Sequence, residues 1–386
     1  MVWSFFCSAA NSACSVSRRH MFVTNRPTLT SPKKIRMNAS SANAAKNTPN
    51  LPRTPPRHAR PINPNKFLIL SFIRGIISQM ITNNQIFAAP MAGISDYPFR
   101  RMIREFAPGV PVVTEMISCH SLVEQHKNCP RNFDNYGTEG NVGTQIFGAV
   151  PDLMADAARI LEDAGATWID INMGCPVPKV ATRANAGAFL MRDHGLAGRI
   201  ISAVVRAVKI PVSVKTRLGW DNENMDWVDL VHVAADAGAK FLTLHGRTRA
   251  QGYTGMAVHP KIKDMPIPII ANGDIVDMAG VQSAIDNGYA GAMIGRAMMG
   301  RPWVFGEILG TGQKPENIGE LVMRHLDLVL EYYGARAGVP MFRKHLAWYS
   351  AGMPNSSDFR IKINQITDEN EMKQKILQFW GCVAKR

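Results

Sequence analysis

From Ile86 onward the chain alternates short apolar runs with longer amphipathic stretches. Eight runs read as strands: Ile86–Met91, Val110–Met116, Val142–Phe147, Trp168–Met173, Val212–Arg217, Phe241–His245, Pro268–Asn272 and Ala292–Ile294. Helix signals flank several of the stretches between them. Pro151-Asp152 opens one that closes at Ala164-Gly165-Ala166, and Asp193 precedes one running to Val208. Asp226 starts another that ends at Ala237-Gly238, and Asp277 one that ends at Asn287-Gly288. An aspartate at a helix start accepts the otherwise unpaired amide N–H groups, and a glycine past the end permits the left-handed stop. Strands that alternate with helices pair in parallel through right-handed crossovers. Eight such units in about 220 residues predict an α/β fold, a (β/α)8 TIM barrel rather than an open doubly wound sheet. No GxGxxG follows the first run, which also argues against a dinucleotide-binding sheet.

The two ends of the chain follow other patterns. Residues 1–80 are rich in Ser, Asn, Pro and Arg and show no sustained apolar period, so a disordered basic extension is expected there. Such a basic, acid-free stretch fits an organelle transit peptide, or upstream sequence ahead of a start at Met80. The run Phe67–Ile73 is interrupted by Arg74 and is too short to span a membrane. Residues 81–312 form the expected barrel domain. Residues 313–386 carry Leu, Met, Ile and aromatic residues at helical spacing, which predicts a small C-terminal all-α domain.

Charge changes the picture less than its total suggests. The formal net charge is +14, but 12 of the 44 basic residues precede Asp96, the first acidic residue. The body is left with a net of only +2, so any nucleic-acid binding has to be argued from particular residues. The six cysteines (Cys7, Cys14, Cys119, Cys129, Cys175, Cys382) form no CxxC pair, which speaks against a disulfide framework and a structural zinc site. A reducing, cytoplasmic setting and a monomer without metal are the expectation, with organelle targeting by the extension as the alternative.

Polar and glycine-rich residues gather where the apolar runs end: Pro90-Met91-Ala92-Gly93, Glu115-Met116, Gln145, Asn172 with Cys175, Lys215 with Arg217, His245-Gly246-Arg247, Asn272-Gly273-Asp274 and Gly295-Arg296. In a barrel of this class that rim is where active sites lie, and the ends of the last two strands form its phosphate corner. Glycines there let backbone N–H groups approach an anion, and Arg296 can fork onto it. Lys215 is an inward cation suited to the N1–C2=O edge of a flavin, and Gln145 offers a donor and an acceptor to the pyrimidine edge. Cys175, between Gly174 and Pro176, is either an inert core thiol or a directed reactive one.

These residues carry a family resemblance. AAPMAGISDYPFR (Ala88–Arg100), TEM (Thr114–Met116), INMGCP (Ile171–Pro176) with Lys179-Val180, and RANAGAFLMRD (Arg183–Asp193) appear in order. VKTRLGW (Val214–Trp220), LHGRTR (Leu244–Arg249), IANGDI (Ile270–Ile275), IGRAMMGRPWVF (Ile294–Phe305), FRKHLAWYSAGMP (Phe342–Pro354) and FRIKINQI (Phe359–Ile366) follow. The chain resembles the flavin-dependent tRNA-dihydrouridine synthases, most closely the bacterial B-type subgroup. The likeness covers about three quarters of the chain and leaves out the extension. Val177-Pro178 replaces the more usual small-and-basic pair after Cys-Pro.

The resemblance implies FMN, with NADPH or NADH as reductant, and a D-loop uridine of tRNA flipped into the pocket. It implies that Pro90, Met91 and Ala92 line the isoalloxazine, that Gln145 and Lys215 bind its polar edge, and that His245 lies near flavin or base. It further implies that Asn272, Gly273, Asp274, Gly295 and Arg296 hold the ribityl phosphate, and that Cys175 is the general acid. The chemistry agrees: hydride at uracil C6 leaves C5 needing a proton, and an ordinary thiol with pKa ~8.5 is still protonated at neutrality. Arg247 or Arg249 could bind uracil carbonyls or RNA phosphates. Arg343, Lys344, His345, Arg360 and Lys362 of the helical segment are expected to form a basic face along the RNA backbone. The competing readings are an FMN barrel acting on a free small molecule, such as a dihydroorotate-dehydrogenase-like enzyme, and a non-catalytic RNA-binding barrel.

Overall fold

The computed structural model describes residues 86–125, 139–182 and 184–381. The expectations for the extension, with Cys7 and Cys14, and for Cys129 and Cys382 fall outside these residues.

The strands are β1 (Ile86–Ala88), β2 (Val112–Val113), β3 (Ile117–Ser118), β4 (Val142–Phe147), β5 (Trp168–Asn172), β6 (Val212–Arg217), β7 (Phe241–His245), β8 (Ile269–Asn272) and β9 (Gly291–Ile294). All pairings are parallel. From β4 to β9 each strand pairs with the next, β1 pairs with both β9 and β2, and β2 pairs with β4. The sheet therefore closes into a barrel. β2 and β3 share one wall position, Val112 opposite Val142 and Ile117 opposite Ile146, so the barrel has eight staves.

Two of the expected strands need correcting. Val110–Met116 is not one strand, because Thr114 turns its hydroxyl into the ladder. Its Oγ1 donates to the Glu115 carbonyl at 2.9 Å and accepts the Gln145 N–H at 3.1 Å. The first strand stops at Ala88 rather than Met91, since the chain there folds into a turn. In it the N–H groups of Ile94 and Ser95 both donate to Met91 O.

Side chains alternate across the wall, as a pleated strand requires. Ile169 and Ile171 of β5 and Val212 and Val214 of β6 point outward into the layer beneath the helices. The intervening positions fill the barrel. Phe87, Val113, Trp168, Phe241, Ile270 and Met293 make an apolar floor, with the Phe87 and Phe241 rings 5.8 Å apart. A Cβ on Gly143 would sit 2.1 Å from the Trp168 ring, so the glycine is what lets that indole cross the lumen. Above the floor the inward residues turn polar, and they end at the rim in Asn172, Lys215, His245 and Asn272.

The helices start where the aspartates predicted. Asp193 Oδ1 accepts the Leu196 N–H at 2.8 Å and Asp277 Oδ1 that of Gly280 at 2.9 Å, each cap contributing about 1 kcal/mol. Asp226 makes no such bond and faces His194 at 3.0 Å instead. One crossover lacks a helix: residues 246–268, between β7 and β8, where the sequence offered no helix signal, carry none.

Four helices, Ile318–Tyr333, Ala335–Tyr349, Ser356–Ile363 and Glu369–Trp380, follow the barrel. They pack around Leu321, Leu326, Phe342, Leu346 and Ile376, and Met102 and Trp303 join this second core. The expected five-residue basic face is not there. His345 is buried, its ring 4.6 Å from that of His325. Arg343 caps the chain by donating to Ile366 O, and Lys344 turns toward the barrel rim. Lys362 is exposed and Arg360 half-exposed.

Candidate active site

The rim is assembled by strand register. Asn172 lies beside Lys215, Arg217 beside His245, and His245 beside Asn272. One slip in any strand would turn these side chains into the wall.

Beneath them a carboxylate anchors the amides. Asp170, fully buried, accepts from Gln145 Nε2 at 2.6 Å and from Ser213 Oγ at 2.5 Å. Burial pushes its carboxyl up from the ordinary range, against the pull of these two donors and of Lys215. Gln145 Oε1 in turn accepts from Asn172 Nδ2 at 2.8 Å. Asn172 Oδ1 accepts the N–H groups of Gly174 and Cys175, at 3.1 and 2.9 Å. A chain of side-chain bonds thus runs from the barrel interior to the backbone of Cys175, whose side chain is half-buried.

Lys215 Nζ donates to Asn272 Oδ1 at 2.8 Å, and Asn272 Nδ2 donates to Met293 O at 2.8 Å. Burial brings the lysine down to about 8, with Arg217 adding to the push and Asp170 opposing it. His245 is held well below the usual imidazole range, first by burial and then by Lys215, Arg217, Arg247 and Arg296. It is a neutral ring at physiological pH. Arg217 Nε donates to Gly174 O at 2.7 Å and Nη1 to Gly252 O at 2.8 Å, so this buried guanidinium clamps the loop that carries Cys175.

The expected phosphate corner has a shape of its own. Asp274 Oδ2 accepts from the buried Arg247 and Oδ1 from Arg296, both at 2.6 Å, and Ala257 N–H adds a third bond. Partial burial works against this carboxylate, yet Ala257 N–H and the two guanidiniums hold it below the usual range. Two cations share one anion, leaving a net charge of +1. Gly273 adopts φ +114°, and a Cβ on Gly295 would find nothing nearer than 3.9 Å, so the space between Ala89 and Asn272 is open. An open glycine-lined corner with one positive charge fits a phosphorylated cofactor, and the Lys215–amide layer fits the polar edge of its ring.

Of the expected residues, Gln145, Lys215, His245 and Asn272 converge on the rim, with Gly273, Asp274, Gly295 and Arg296 at one corner. Pro90, Met91 and Ala92 form the turn after β1, and Met91 N–H donates to Ser95 Oγ at 2.9 Å. Asp170 was not among the expected site residues, and Arg217 was expected at the rim with no role assigned. The two-residue alternation that places Asn172 and Lys215 inward also places Asp170 and Arg217 inward, and that was the available signal. Arg249 lies over the Trp220 ring at 4.4 Å, with Arg192 over the same ring at 4.9 Å. Among the described residues no group of acidic, histidine or cysteine side chains could hold a metal ion, and no helix is long and apolar enough to cross a membrane.

Residues 87–382 match the model of the family described as dihydrouridine synthase. The chain belongs to the dihydrouridine synthase family. It is 40% identical over 324 residues to a probable tRNA-dihydrouridine synthase of Rickettsia bellii, covering 80% of this chain and 99% of that protein. It is 42% identical over 294 residues to tRNA-dihydrouridine synthase B of Xanthomonas campestris pv. campestris, covering 73% and 88%. The corresponding protein of Pseudomonas aeruginosa is 38% identical over 312 residues, covering 77% and 93%. The matched stretch takes in both the barrel and the four helices that follow it.

Proposed function

We propose that this chain is an FMN-dependent enzyme that reduces a uridine of tRNA to 5,6-dihydrouridine, with NADPH or NADH as the electron source. The relatives' names point to tRNA as substrate, and their likeness extends through the C-terminal helices, which favours a macromolecular substrate over a free small molecule. In this reading residues 81–312 are the catalytic domain and residues 313–386 dock the RNA. The protein acts as a monomer in the cytoplasm.

When bound and reduced, FMN supplies the hydride for C6 of the uracil ring. The residues of this chain do the rest. Gln145, Lys215 and His245 would border the ring, and Asn272, Gly273, Asp274, Gly295 and Arg296 its phosphate end. Cys175 gives its thiol proton to C5 of the base. His245 cannot compete as proton donor, because burial and its cationic neighbours keep it neutral. The base has to leave its stack to reach a pocket sunk into a barrel end.

The observation that most supports the reading is the double duty of Asn172. One face of its amide bonds Gln145 and the other bonds the Cys175 N–H. A residue assigned to the cofactor edge and the assigned acid are thereby fixed to one another, as a reaction between two bound rings requires.

The test is a visible spectrum of the purified protein together with a map of dihydrouridine in tRNA from cells with and without the gene. A flavin spectrum and loss of dihydrouridine at defined positions are expected. A colourless protein unable to take up FMN, or an unchanged map, overturns the proposal. Cys175→Ala should keep the flavin and its reduction by NADPH while losing most tRNA turnover; full turnover removes Cys175 from the mechanism.

A further inference from the structure

The turn after β1 is gripped from two sides. Gly93 N–H donates to a carboxylate oxygen of Glu115. Asp96 Oδ1 caps the helix Tyr97–Phe106 through Phe99 N–H at 3.0 Å, while Oδ2 accepts the Tyr333 hydroxyl at 3.2 Å. Lys344, on the helix Ala335–Tyr349, reaches the same turn: its Nζ would lie 3.4 Å from a Cβ built on Gly93. Its charge is felt by both Asp96 and Glu115, with no direct ion pair to either among the described residues.

Two roles are open to such a cation: contact with RNA phosphate, or balance of local carboxylates. The charges decide between them. Around the turn stand Asp96, Glu115 and Glu139 against Lys344 and Arg100, and Arg100 is spent on Glu139 in a two-bond fork. The cluster is net negative when ionised, so a further anion would be repelled.

We propose that Lys344 is a positioning residue, a cation of the helical domain that balances Glu115 and Asp96 and so holds the Pro90–Gly93 turn in the shape that receives the flavin ring. This rests on the reading of that turn as flavin-facing. It makes the helical domain part of the cofactor site rather than an RNA-docking appendage alone. Burial and Glu115 bring Asp96 up to about 6 even with Lys344 in place, which shows how little counter-charge the cluster has to spare. The titratable groups around it hold their state near neutrality: burial keeps Tyr332 and Tyr333 protonated, and burial together with Lys344 keeps His325 and His345 neutral.

The experiment is FMN titration of the cofactor-stripped full chain at pH 8 and pH 6, with thermal unfolding of each variant alongside. Lys344→Met should bind FMN about tenfold more weakly than wild type at pH 8, where Asp96 is charged. The defect should shrink at pH 6 as Asp96 takes a proton. Lys344→Arg should restore binding, as should the double variant Asp96→Asn with Lys344→Met, which removes one charge of each sign and keeps a capping side chain. That double variant carries the test if Lys344→Met alone does not fold. Wild-type affinity in Lys344→Met, a loss equal at both pH values, or no recovery in the double variant overturns the proposal. A wild-type protein that binds no FMN at either pH is a separate failure, that of the flavin reading itself.

Discussion

The side-chain carbonyl of Asn172 accepts the backbone N–H of Cys175 at 2.9 Å. A thiol on a loop is thereby given the fixed origin of a strand end. Asn172→Ala removes this bond, the one from Gly174 and the one to Gln145. At about 1 kcal/mol each, the first two predict a fall in tRNA turnover of roughly 10- to 100-fold with flavin still bound. Single-turnover kinetics on the reduced enzyme would measure it, and an unchanged rate would show that the thiol needs no such anchor.

Lys215 gives the protein a signature in alkaline solution. The unfolded chain keeps this proton up to the ordinary 10.5, whereas the folded protein releases it near 8. Between those values the unfolded state binds more protons, so stability should rise with pH. Below pH 8 the penalty is fully present, roughly 3 kcal/mol. Denaturant unfolding of the cofactor-free protein from pH 7 to 10 should show the rise, and Lys215→Met should flatten it. A wild-type curve without that slope would contradict the assignment.

Gly273 cannot accept a side chain. Its φ is +114°, and a Cβ would meet Ala257 Cβ at 2.8 Å and His245 Cδ2 at 2.9 Å. Gly273→Ala should cost about 2 kcal/mol or more and displace His245. Gly310 is a useful contrast: φ is +67° and an added Cβ meets nothing within 4 Å, so Gly310→Ala should cost about 1 kcal/mol. Thermal midpoints that fail to separate the two would refute the packing argument.

Asp274 serves two arginines of unequal need. Arg247 is almost fully buried and Arg296 is half-exposed. Asp274→Asn strands a buried cation and should cost about 3 kcal/mol, whereas Arg296→Gln should cost about 1 kcal/mol or less. Equal shifts in unfolding midpoint would mean that Arg247 is satisfied by the Thr254 and Gly255 carbonyls alone.

The barrel was legible because strand periodicity and aspartate caps are local signals, and Asp193 and Asp277 cap where the pattern says. The broken second stave was not, because an interruption at Thr114 depends on the neighbouring strand's Gln145 N–H. Rim residues at strand ends could be read, since register follows from alternation. Their partners could not: nothing local ties Asp274 to Arg247, 27 positions away. The divergence of Arg343, Lys344 and His345 was hidden for a related reason. The stretch is basic, but helix geometry sends the three side chains to a carbonyl, to the barrel and into a core.

The pairing of Asn172 with Lys215 and of His245 with Asn272 sets which edits the gene can tolerate. Insertion of a single codon within β5 or β7 would invert every side chain beyond it and empty the pocket of its chemistry while leaving composition almost untouched. The segment between β7 and β8 is held as firmly, since Gly252, Thr254, Gly255 and Ala257 bond Arg217, Arg247 and Asp274. The turns that lead from a helix into a strand, at the far end of the barrel, can instead change length without shifting any of the four paired residues. Descendants of this chain should therefore differ in loop length far more readily than in strand length.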